Sequence, residues 1–370
     1  MSRLPELRRL GRAQRQTAHI LAATLRLPGA DIFSRFGVAP RIADEQLAGV
    51  PATIVRPGGP PPWPAFLFAN GATPDGRAHP VVRRLALALA RSGYATFIPD
   101  LPGIAGGELA PATLAAAVEC AEEIADARDT RDGRVGLVGV SVGATLALLV
   151  AADERLASRV SLVACIAPFT DLRKVMMLAT TGIYRDDAGA LSAYPTPPSL
   201  AVGLGRSLAA MLPATAAASG LSCTMRTLDT ASDDPLAPLR AGPTDPFDRA
   251  TNSVRELLAN QDPARFDDLH DSLPKEIRST IELLSPVCVA TRIRAPIEIA
   301  TAPRDTYFPV AESLALKSAR RARVTITPAL AHANPRLDLD SLNGIAQLGG
   351  FFVRSLVAAE AADPTVAVPA

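Results

Sequence analysis

From about Pro51 to Phe169 the sequence alternates between short apolar strands and helices, and this alternation restricts the fold more than any other feature. The strand segments are nearly continuous runs of apolar residues: PATIVRP, PAFLFANG, YATFIPD, RVGLVGV and RVSLVACIAPF. The helical segments between them are HPVVRRLALALARSG, PATLAAAVECAEEIADA and ATLALLVAAD. Continuously apolar strands are typical of a parallel sheet that is covered by helices on both faces. The sequence therefore predicts an α/β protein.

The alternation stops near Asp171 and resumes after Val289. The helical segments in this interval, SLAVGLGRSLAAML and NSVRELLANQ, are separated by linkers rich in proline and aspartate. The interval is too long for a plain loop, so it predicts a mostly helical insertion. Two further strand segments follow, APIEIATAP and ARVTITPAL, and SLNGIAQLGGFFVRSLVAA predicts a closing amphipathic helix.

A chain of 370 residues exceeds the size at which a single core stops growing, which is roughly 250–300 residues. We therefore expect one α/β core that is interrupted by the insertion. The expected division is a helical N-terminal extension over 1–48, a first part of the core over 49–170, the insertion over 171–289, a second part of the core over 290–361 and a flexible tail over 362–370.

The N-terminal segment carries apolar residues at helical spacing, which predicts one or two amphipathic helices docked on the core. These residues are Leu4, Leu7, Leu10, Ile20, Leu21 and Leu25. A helix that lies on a membrane surface is the alternative. The segment lacks the pattern of an export signal, and no apolar run in the chain reaches the length of a membrane span.

Charge and cysteine content exclude several classes of protein. Lys and Arg number 38 and Asp and Glu 37, a formal net charge of +1 that gives no basis for nucleic-acid binding. The four cysteines are widely spaced and contain no C-x-x-C pair; they are Cys120, Cys165, Cys223 and Cys288. This spacing favours reduced thiols in a cytoplasmic protein over a disulfide or metal framework. We expect no metal and no cofactor.

The segment Gly139-Val140-Ser141-Val142-Gly143 has the pattern G-x-S-x-G, between a predicted strand and a predicted helix. This context is the one required for a nucleophile elbow, a sharp turn that raises the serine above the carboxyl edge of the sheet. Glycine at the two flanking positions relieves the crowding in such a turn. The helix N-terminus there favours a developing oxyanion. Ser141 is therefore the candidate nucleophile.

In these features the chain resembles the α/β-hydrolase superfamily, over residues 50–171 and 289–357. The resemblance implies the α/β-hydrolase fold, a mostly parallel eight-stranded sheet with helices on both faces. It also implies a catalytic triad in the chain order serine, acid, histidine. The helical insertion resembles the cap, or lid, of many members.

Among the four histidines, His332 is the one that follows the last predicted strand, where the general base of the family belongs. Asp305 follows the penultimate strand, 27 residues earlier, and Pro309 matches the proline that follows the acid in the family. Asp171 is the alternative acid, because some members take their acid from the end of the preceding strand.

The resemblance also implies an oxyanion hole made of two backbone N–H groups. One belongs to Val142, which follows the nucleophile. The other belongs to the loop Asn70-Gly71-Ala72, where Ala72 is the first candidate and Thr73 the second. This loop departs from the His-Gly-x sequence of many relatives, and we expect the Asn70 side chain to brace it.

We therefore expect a serine hydrolase that cleaves a carboxylic ester of a small-molecule acyl substrate through an acyl-enzyme. Thioesterase, lactonase, amidase, peptidase and acyltransferase activities use the same triad and stay open. A non-catalytic binding protein with the same fold is the alternative from another class. Whether the chain forms a homodimer is also left open.

Overall fold

The computed structural model of this protein describes residues 4–25, 38–241, 248–318, 322–335 and 342–361. The tail expected over 362–370 lies outside the described residues. The strands in chain order are β1 Arg41–Leu47, β2 Val50–Arg56, β3 Trp63–Ala69, β4 Ala95–Pro99, β5 Thr130–Val140, β6 Val160–Ile166, β7 Ile183–Arg185, β8 Leu191–Ala193, β9 Ile297–Thr301, β10 Ala322–Ile326, β11 Leu330–Ala331 and β12 Asn334–Pro335.

The α-helices are named in the same way. They are α1 Leu4–Thr24, α2 Pro80–Arg91, α3 Pro111–Asp126, α4 Val142–Ala151, α5 Leu172–Thr181, α6 Pro198–Ala210, α7 Ala216–Thr227, α8 Ala237–Arg240, α9 Arg249–Ala259, α10 Phe266–Ser272, α11 Lys275–Leu283, α12 Pro286–Val289, α13 Val310–Ala315 and α14 Leu342–Ala359.

Eight strands form the central sheet, in the order β1-β2-β4-β3-β5-β6-β9-β10. The pairs β1–β2 and β2–β4 are antiparallel, and every other neighbouring pair is parallel. The predicted α/β-hydrolase fold, with its mostly parallel eight-stranded sheet, is therefore confirmed. Because the parallel strands run in one direction, the segments that follow β3, β5, β6, β9 and β10 meet at one edge of the sheet.

The prediction of a wholly helical extension over 1–48 is wrong for Arg41–Leu47, which form the edge strand β1. This strand pairs with β2 alone and is mostly exposed, so its sequence RIADEQL lacks the apolar run of a central strand. Its charged side chains are used at the surface instead: Glu45 pairs with Arg56 at 2.6 Å. Charged residues on an edge strand also discourage pairing with other chains.

The two faces of the sheet carry two separate apolar cores. Leu67 and Leu137 pack on the core that includes α3 and α4. Phe66 and Val138, their neighbours along the strands, pack on the core that includes α1, α2 and α14. Alternate residues of a strand point to opposite faces, so central strands buried on both faces must be apolar throughout.

Helix α1 is docked on the second of these cores. Ile20 is fully buried, whereas Leu7 and Leu10 are 62% and 41% exposed. The Gln16 amide donates a 2.7 Å hydrogen bond to the backbone oxygen of Ser92, which follows α2. The Tyr94 hydroxyl donates to Glu360, just beyond α14, at 2.9 Å. In the part of the chain that the structure describes, no helix has the length and hydropathy of a membrane span.

The interval between β6 and β9, where the sequence predicts a mostly helical insertion, contains helices α5 to α12. It also contains the antiparallel hairpin β7–β8, which the sequence did not predict. Each strand of this hairpin has three residues, and β8 is exposed, so neither leaves a recognisable apolar pattern.

Candidate functional site

Ser141 occupies the turn between β5 and α4, at the carboxyl edge of the sheet. Its backbone has φ 55° and ψ −126°, a conformation that L-residues rarely adopt. The turn is held from both sides, because the Ser141 N–H donates to the Ile166 carbonyl at 2.8 Å and the Ser141 carbonyl accepts from Ala144 at 2.9 Å. The surrounding sheet and helix therefore impose the strain that a nucleophile elbow requires.

Gly139 and Gly143 permit this turn because no side chain fits at either position. A Cβ atom on Gly139 would lie 2.3 Å from the backbone oxygen of Gly143. A Cβ atom on Gly143 would lie 2.2 Å from the backbone oxygen of Asn70. Both distances are below any tolerable contact, and the obstructing atoms belong to the backbone. The two glycines thus let α4 start against both β5 and the loop that follows β3.

His332 and Asp305, which follow β10 and β9, form a direct pair. The Nδ1 atom of His332 lies 2.9 Å from both carboxylate oxygens of Asp305. The Asp305 side chain is 1% exposed and that of His332 is 12% exposed. A hydrogen bond from Nδ1–H to the carboxylate leaves the lone pair of a neutral imidazole on Nε2. The buried carboxylate therefore fixes the ring in the tautomer that can accept a proton.

Further contacts hold both members of this pair. The N–H groups of Tyr307 and Phe308 donate to one oxygen of Asp305, at 2.8 and 3.1 Å. The Tyr307 ring stacks on the His332 ring with 4.3 Å between centroids. The Tyr194 hydroxyl donates to the backbone oxygen of Asp305. Burial, and to a smaller extent the negative charge of Asp305, raises the pKa of Tyr194 to about 12. The tyrosine is therefore protonated, as a donor must be.

Sequence reasoning missed both tyrosines. Tyr307 lies two residues after Asp305 in RDTYFP, and this proximity to the candidate acid is a usable signal. Tyr194 lies 111 residues before Asp305 and reaches it only through the folded insertion. Nothing local in AYPTPPS indicates that contact.

Asp171, the alternative acid, has a different position and different partners. It is the N-cap of α5, where its carboxylate accepts from the Lys174 N–H at 3.2 Å. The His332 ring is paired with Asp305 instead. The geometry therefore brings His332 together with Asp305 and leaves Asp171 as a helix cap, a role for which aspartate is well suited.

A cavity of about 780 Å³ joins the candidate residues that lie on different loops. Ser141 and His332 both line it, together with Val142 and Ala72, the candidate oxyanion donors. Thr73, the second candidate for the loop N–H, lines it as well. The volume falls within the range of about 300–1,000 Å³ that is typical of small-molecule sites.

The loop Asn70-Gly71-Ala72 lies directly against the elbow. A Cβ atom on Gly71 would lie 3.2 Å from the backbone oxygen of Val140 and 3.4 Å from Cβ of Ser141. The side-chain oxygen of Asn70 is buried and accepts no hydrogen bond from the described residues, so no bracing contact through this oxygen is observed. The close approach positions the backbone of the loop beside the serine, where an oxyanion donor is needed.

Glu312 was not predicted, and it is a second buried carboxylate near the site, at 1% exposed. One of its oxygens accepts from the N–H groups of Thr170 and Asp171, at 2.8 and 2.9 Å. The other accepts from the Tyr184 hydroxyl of β7 at 2.8 Å. Burial raises the pKa of Glu312, against the opposite effect of these donors. The residue joins α13 to the start of the insertion and to its hairpin.

Replacing Glu312 by alanine is expected to lower the free energy of unfolding by about 3–9 kcal/mol. The change leaves two backbone N–H groups and one hydroxyl without their acceptor, at about 1–3 kcal/mol for each buried group. Glu312→Gln keeps an oxygen for the two N–H groups, so we expect a loss below about 2 kcal/mol. Urea unfolding followed by circular dichroism measures both. Equal stability of the alanine variant and the wild type would contradict the network.

Within the described ranges, no group of three or more His, Cys, Asp or Glu side chains is placed to hold a metal ion. The four cysteines are free thiols, of which Cys120 and Cys165 are buried. Burial raises the pKa of Cys120 to about 12, so this thiol is a core residue and no reactive nucleophile.

Solved structures with a similar fold include an archaeal peptidase. The acylaminoacyl peptidase of Pyrococcus horikoshii matches with a TM-score of 0.51 and 13% identity, over 92% of this chain and 44% of that one. The dipeptidyl peptidase 4 of Porphyromonas gingivalis matches with a TM-score of 0.49 and 13% identity, over 89% and 37%. The dienelactone hydrolase of Anabaena variabilis matches with a TM-score of 0.42 and 14% identity, over 86% and 97%.

The chain spans less than half the length of the two peptidases, and at these identities the likeness concerns the fold alone. No curated protein matches the chain. A family model described as "Alpha/beta hydrolase family" matches residues 66–338, which include Ser141, Asp305 and His332. On this match, and on the sheet order and the elbow described above, the protein belongs to the α/β-hydrolase family.

Proposed function

We propose that this protein is a serine hydrolase that cleaves carboxylic ester bonds, with Ser141 as nucleophile, His332 as general base and Asp305 as the acid that orients it. One observation carries the proposal: the His332 ring is paired at 2.9 Å with the buried Asp305 carboxylate and lines the same cavity as the strained Ser141. This is the set of roles on which nucleophilic acyl transfer depends.

The reaction follows from these positions. The Ser141 oxygen attacks the ester carbonyl carbon while Nε2 of His332 takes the hydroxyl proton. The N–H groups of Val142 and Ala72 stabilise the negative charge on the carbonyl oxygen. The tetrahedral intermediate expels the alcohol, which receives the proton from the imidazolium, and an acyl-enzyme remains. Water, deprotonated by the same imidazole, then attacks the acyl carbon. The imidazolium returns this proton to the departing serine oxygen, and the acid and the free serine are released.

Asp305 keeps its charge throughout this cycle. The carboxylate orients Nδ1–H and stabilises the imidazolium that forms when Nε2 takes the proton. The stacked Tyr307 ring limits rotation of the imidazole. The helical insertion, which we propose as a cap over the site, contributes α6 and its residues Leu200 and Leu204 to the cavity.

The composition of the cavity favours an ester over a peptide with a free amino terminus. Among the described residues that line it, no aspartate or glutamate occurs. A peptidase that selects a free α-ammonium group needs a carboxylate there, because an unpaired buried charge is costly. Apolar side chains predominate instead, as in Phe169, Leu172 and Leu204. Thioesters and lactones meet the same requirements and are the second group of candidate substrates.

A substrate panel tests this proposal. We expect the purified protein to hydrolyse p-nitrophenyl esters and to react with a fluorophosphonate probe, since the probe needs the same activated serine. Thioesters and anilides of the same acyl group, measured in parallel, rank the leaving groups. We expect kcat/KM to be at least about tenfold lower for the anilide, because an amine is a poorer leaving group than an alcohol.

Two outcomes would contradict the proposal. An inert protein that also fails to react with the probe would favour a non-catalytic binding protein of the same fold. An anilide or peptide cleaved faster than the ester would replace esterase by amidase or peptidase activity on the same triad.

A further inference from the structure

The cavity beside Ser141 extends to both faces of the sheet. Phe169, Leu172 and Leu204 on its wall belong to the core that includes the insertion. A second group of wall residues belongs to the opposite core or packs against it: Leu21, Leu25, Val82, Leu85, Leu348 and Phe352. Helices α1, α2 and α14, together with Leu25 directly after α1, contribute this second group, which we name the α1 branch. Ser141 lies at the carboxyl edge of the sheet and lines the same cavity.

We propose that the α1 branch binds an unbranched aliphatic chain of the substrate, and that helix α1 thereby sets the chain length that the enzyme accepts. This inference rests on the proposed ester hydrolysis. The six side chains that define the branch are apolar, and Thr24 of α1 adds one hydroxyl to the same wall, so the branch offers a substrate chain mainly apolar burial. Each methylene removed from water is worth about 0.8 kcal/mol, or about fourfold in kcat/KM.

The branch is continuous with the reacting groups. Leu330 lines the cavity two residues before His332 and is buried in the same core as Leu21 and Leu25. Val140, on the wall of the cavity, directly precedes Ser141 and packs against that core. A chain attached to a carbonyl at Ser141 therefore has an apolar surface from Val140 and Leu330 towards the α1 branch.

Helix α1 is fixed well enough to serve as a wall. Leu21 and Leu25 are 9% and 6% exposed, although both line the cavity. The Cδ1 atom of Leu21 lies 3.7 Å from the position of a Cβ on Gly349, so α1 and α14 pack closely at this point. The Gln16 bond to Ser92 and the Arg12 ion pair with Glu360, at 3.5 Å, hold the preceding turns of α1.

The test is a chain-length profile for the full-length protein and for Leu25→Trp, which reduces the volume of the branch. One series varies the acyl chain of p-nitrophenyl esters from two to twelve carbons. A second series keeps an acetyl group and varies the alcohol over the same range. We expect Leu25→Trp to lower kcat/KM for the eight-carbon member of one series at least tenfold, with less than a twofold change for the shortest esters. The affected series tells whether the branch holds the acyl or the alcohol chain.

The matched control is Leu7→Trp, the same substitution at a residue of α1 that is 62% exposed. Its profile is expected to equal that of the wild type. If Leu25→Trp fails to fold, Leu21→Ala provides the opposite change: added volume should move the preferred chain length upwards by at least one methylene.

Unchanged profiles in both series, with folded variants that still cleave the shortest esters, would overturn this inference and leave the proposed function intact. A wild type that cleaves no member of either series would overturn both. The two failures are therefore distinguishable by the rate on the shortest esters.

Discussion

Ser141→Ala is expected to abolish ester hydrolysis, with a fall in kcat of about 10⁵–10⁶. No other group can form the acyl-enzyme if Ser141 is the nucleophile, and serine hydrolases lose about this factor when the nucleophile is removed. The same variant should not react with a fluorophosphonate probe. Alanine fits the backbone turn as serine does, so the thermal unfolding midpoint should stay within a few degrees of the wild type. Steady-state assays with p-nitrophenyl butyrate measure the fall in kcat.

Ser279→Ala is the matched control, because Ser279 is an exposed serine of α11 in the insertion. We expect less than a twofold change in kcat and full reaction with the probe. A Ser141→Ala protein that retains a tenth of the wild-type rate, or still reacts with the probe, would show that another nucleophile is used.

His332→Ala is expected to have an effect of similar size, a fall in kcat of about 10⁴–10⁶. Without the imidazole, no group takes the serine proton, and the leaving alcohol departs unprotonated. Reaction with the probe should slow by a comparable factor. The stacked Tyr307 loses its partner, so a modest loss of stability is expected as well. The rate of ester hydrolysis at saturating substrate measures the fall in kcat, and the rate of labelling by the fluorophosphonate probe measures the reactivity of the serine.

His79→Ala provides the comparison, since His79 lines the same cavity at the start of α2. We expect it to retain at least about a tenth of the wild-type kcat. If His332→Ala were nearly as active as the wild type and His79→Ala were inactive, the general base would have to be reassigned to His79.

Much of the fold was predictable because its signals are local. The buried strands are apolar throughout, and the G-x-S-x-G pattern marks the turn at Ser141. The structure explains the two glycines of this pattern, because a Cβ at either position would collide with the backbone. The triad order that the resemblance to the α/β-hydrolase superfamily implies then predicted the pairing of Asp305 with His332, and parallel strands bring the segments that carry them to one edge. Their roles in catalysis stay a prediction that the two substitutions above address.

The remaining features depend on contacts between distant parts of the chain. Glu312 lies in VAESLA, which has the pattern of a surface helix. Its buried carboxylate accepts hydrogen bonds from Thr170 and Tyr184, which are 142 and 128 residues away in the sequence. Tyr194 meets Asp305 in the same long-range manner. The edge strand β1 has one neighbour and a charged sequence, so strand propensity alone does not identify it. Such features can be identified only in the folded structure.

The hydrogen bond from Tyr194 to Asp305, together with the Glu312 bond to Tyr184, has a consequence for how a substrate reaches the serine. The hairpin side of the insertion is anchored to the loop that carries the acid, so any outward swing there would pull the carboxylate away from the imidazole. An entrance on that side would separate the proposed catalytic residues Asp305 and His332 whenever it opened. Opening of the insertion at α6, whose residues Leu200 and Leu204 line the cavity, would leave the Asp305–His332 pair in place.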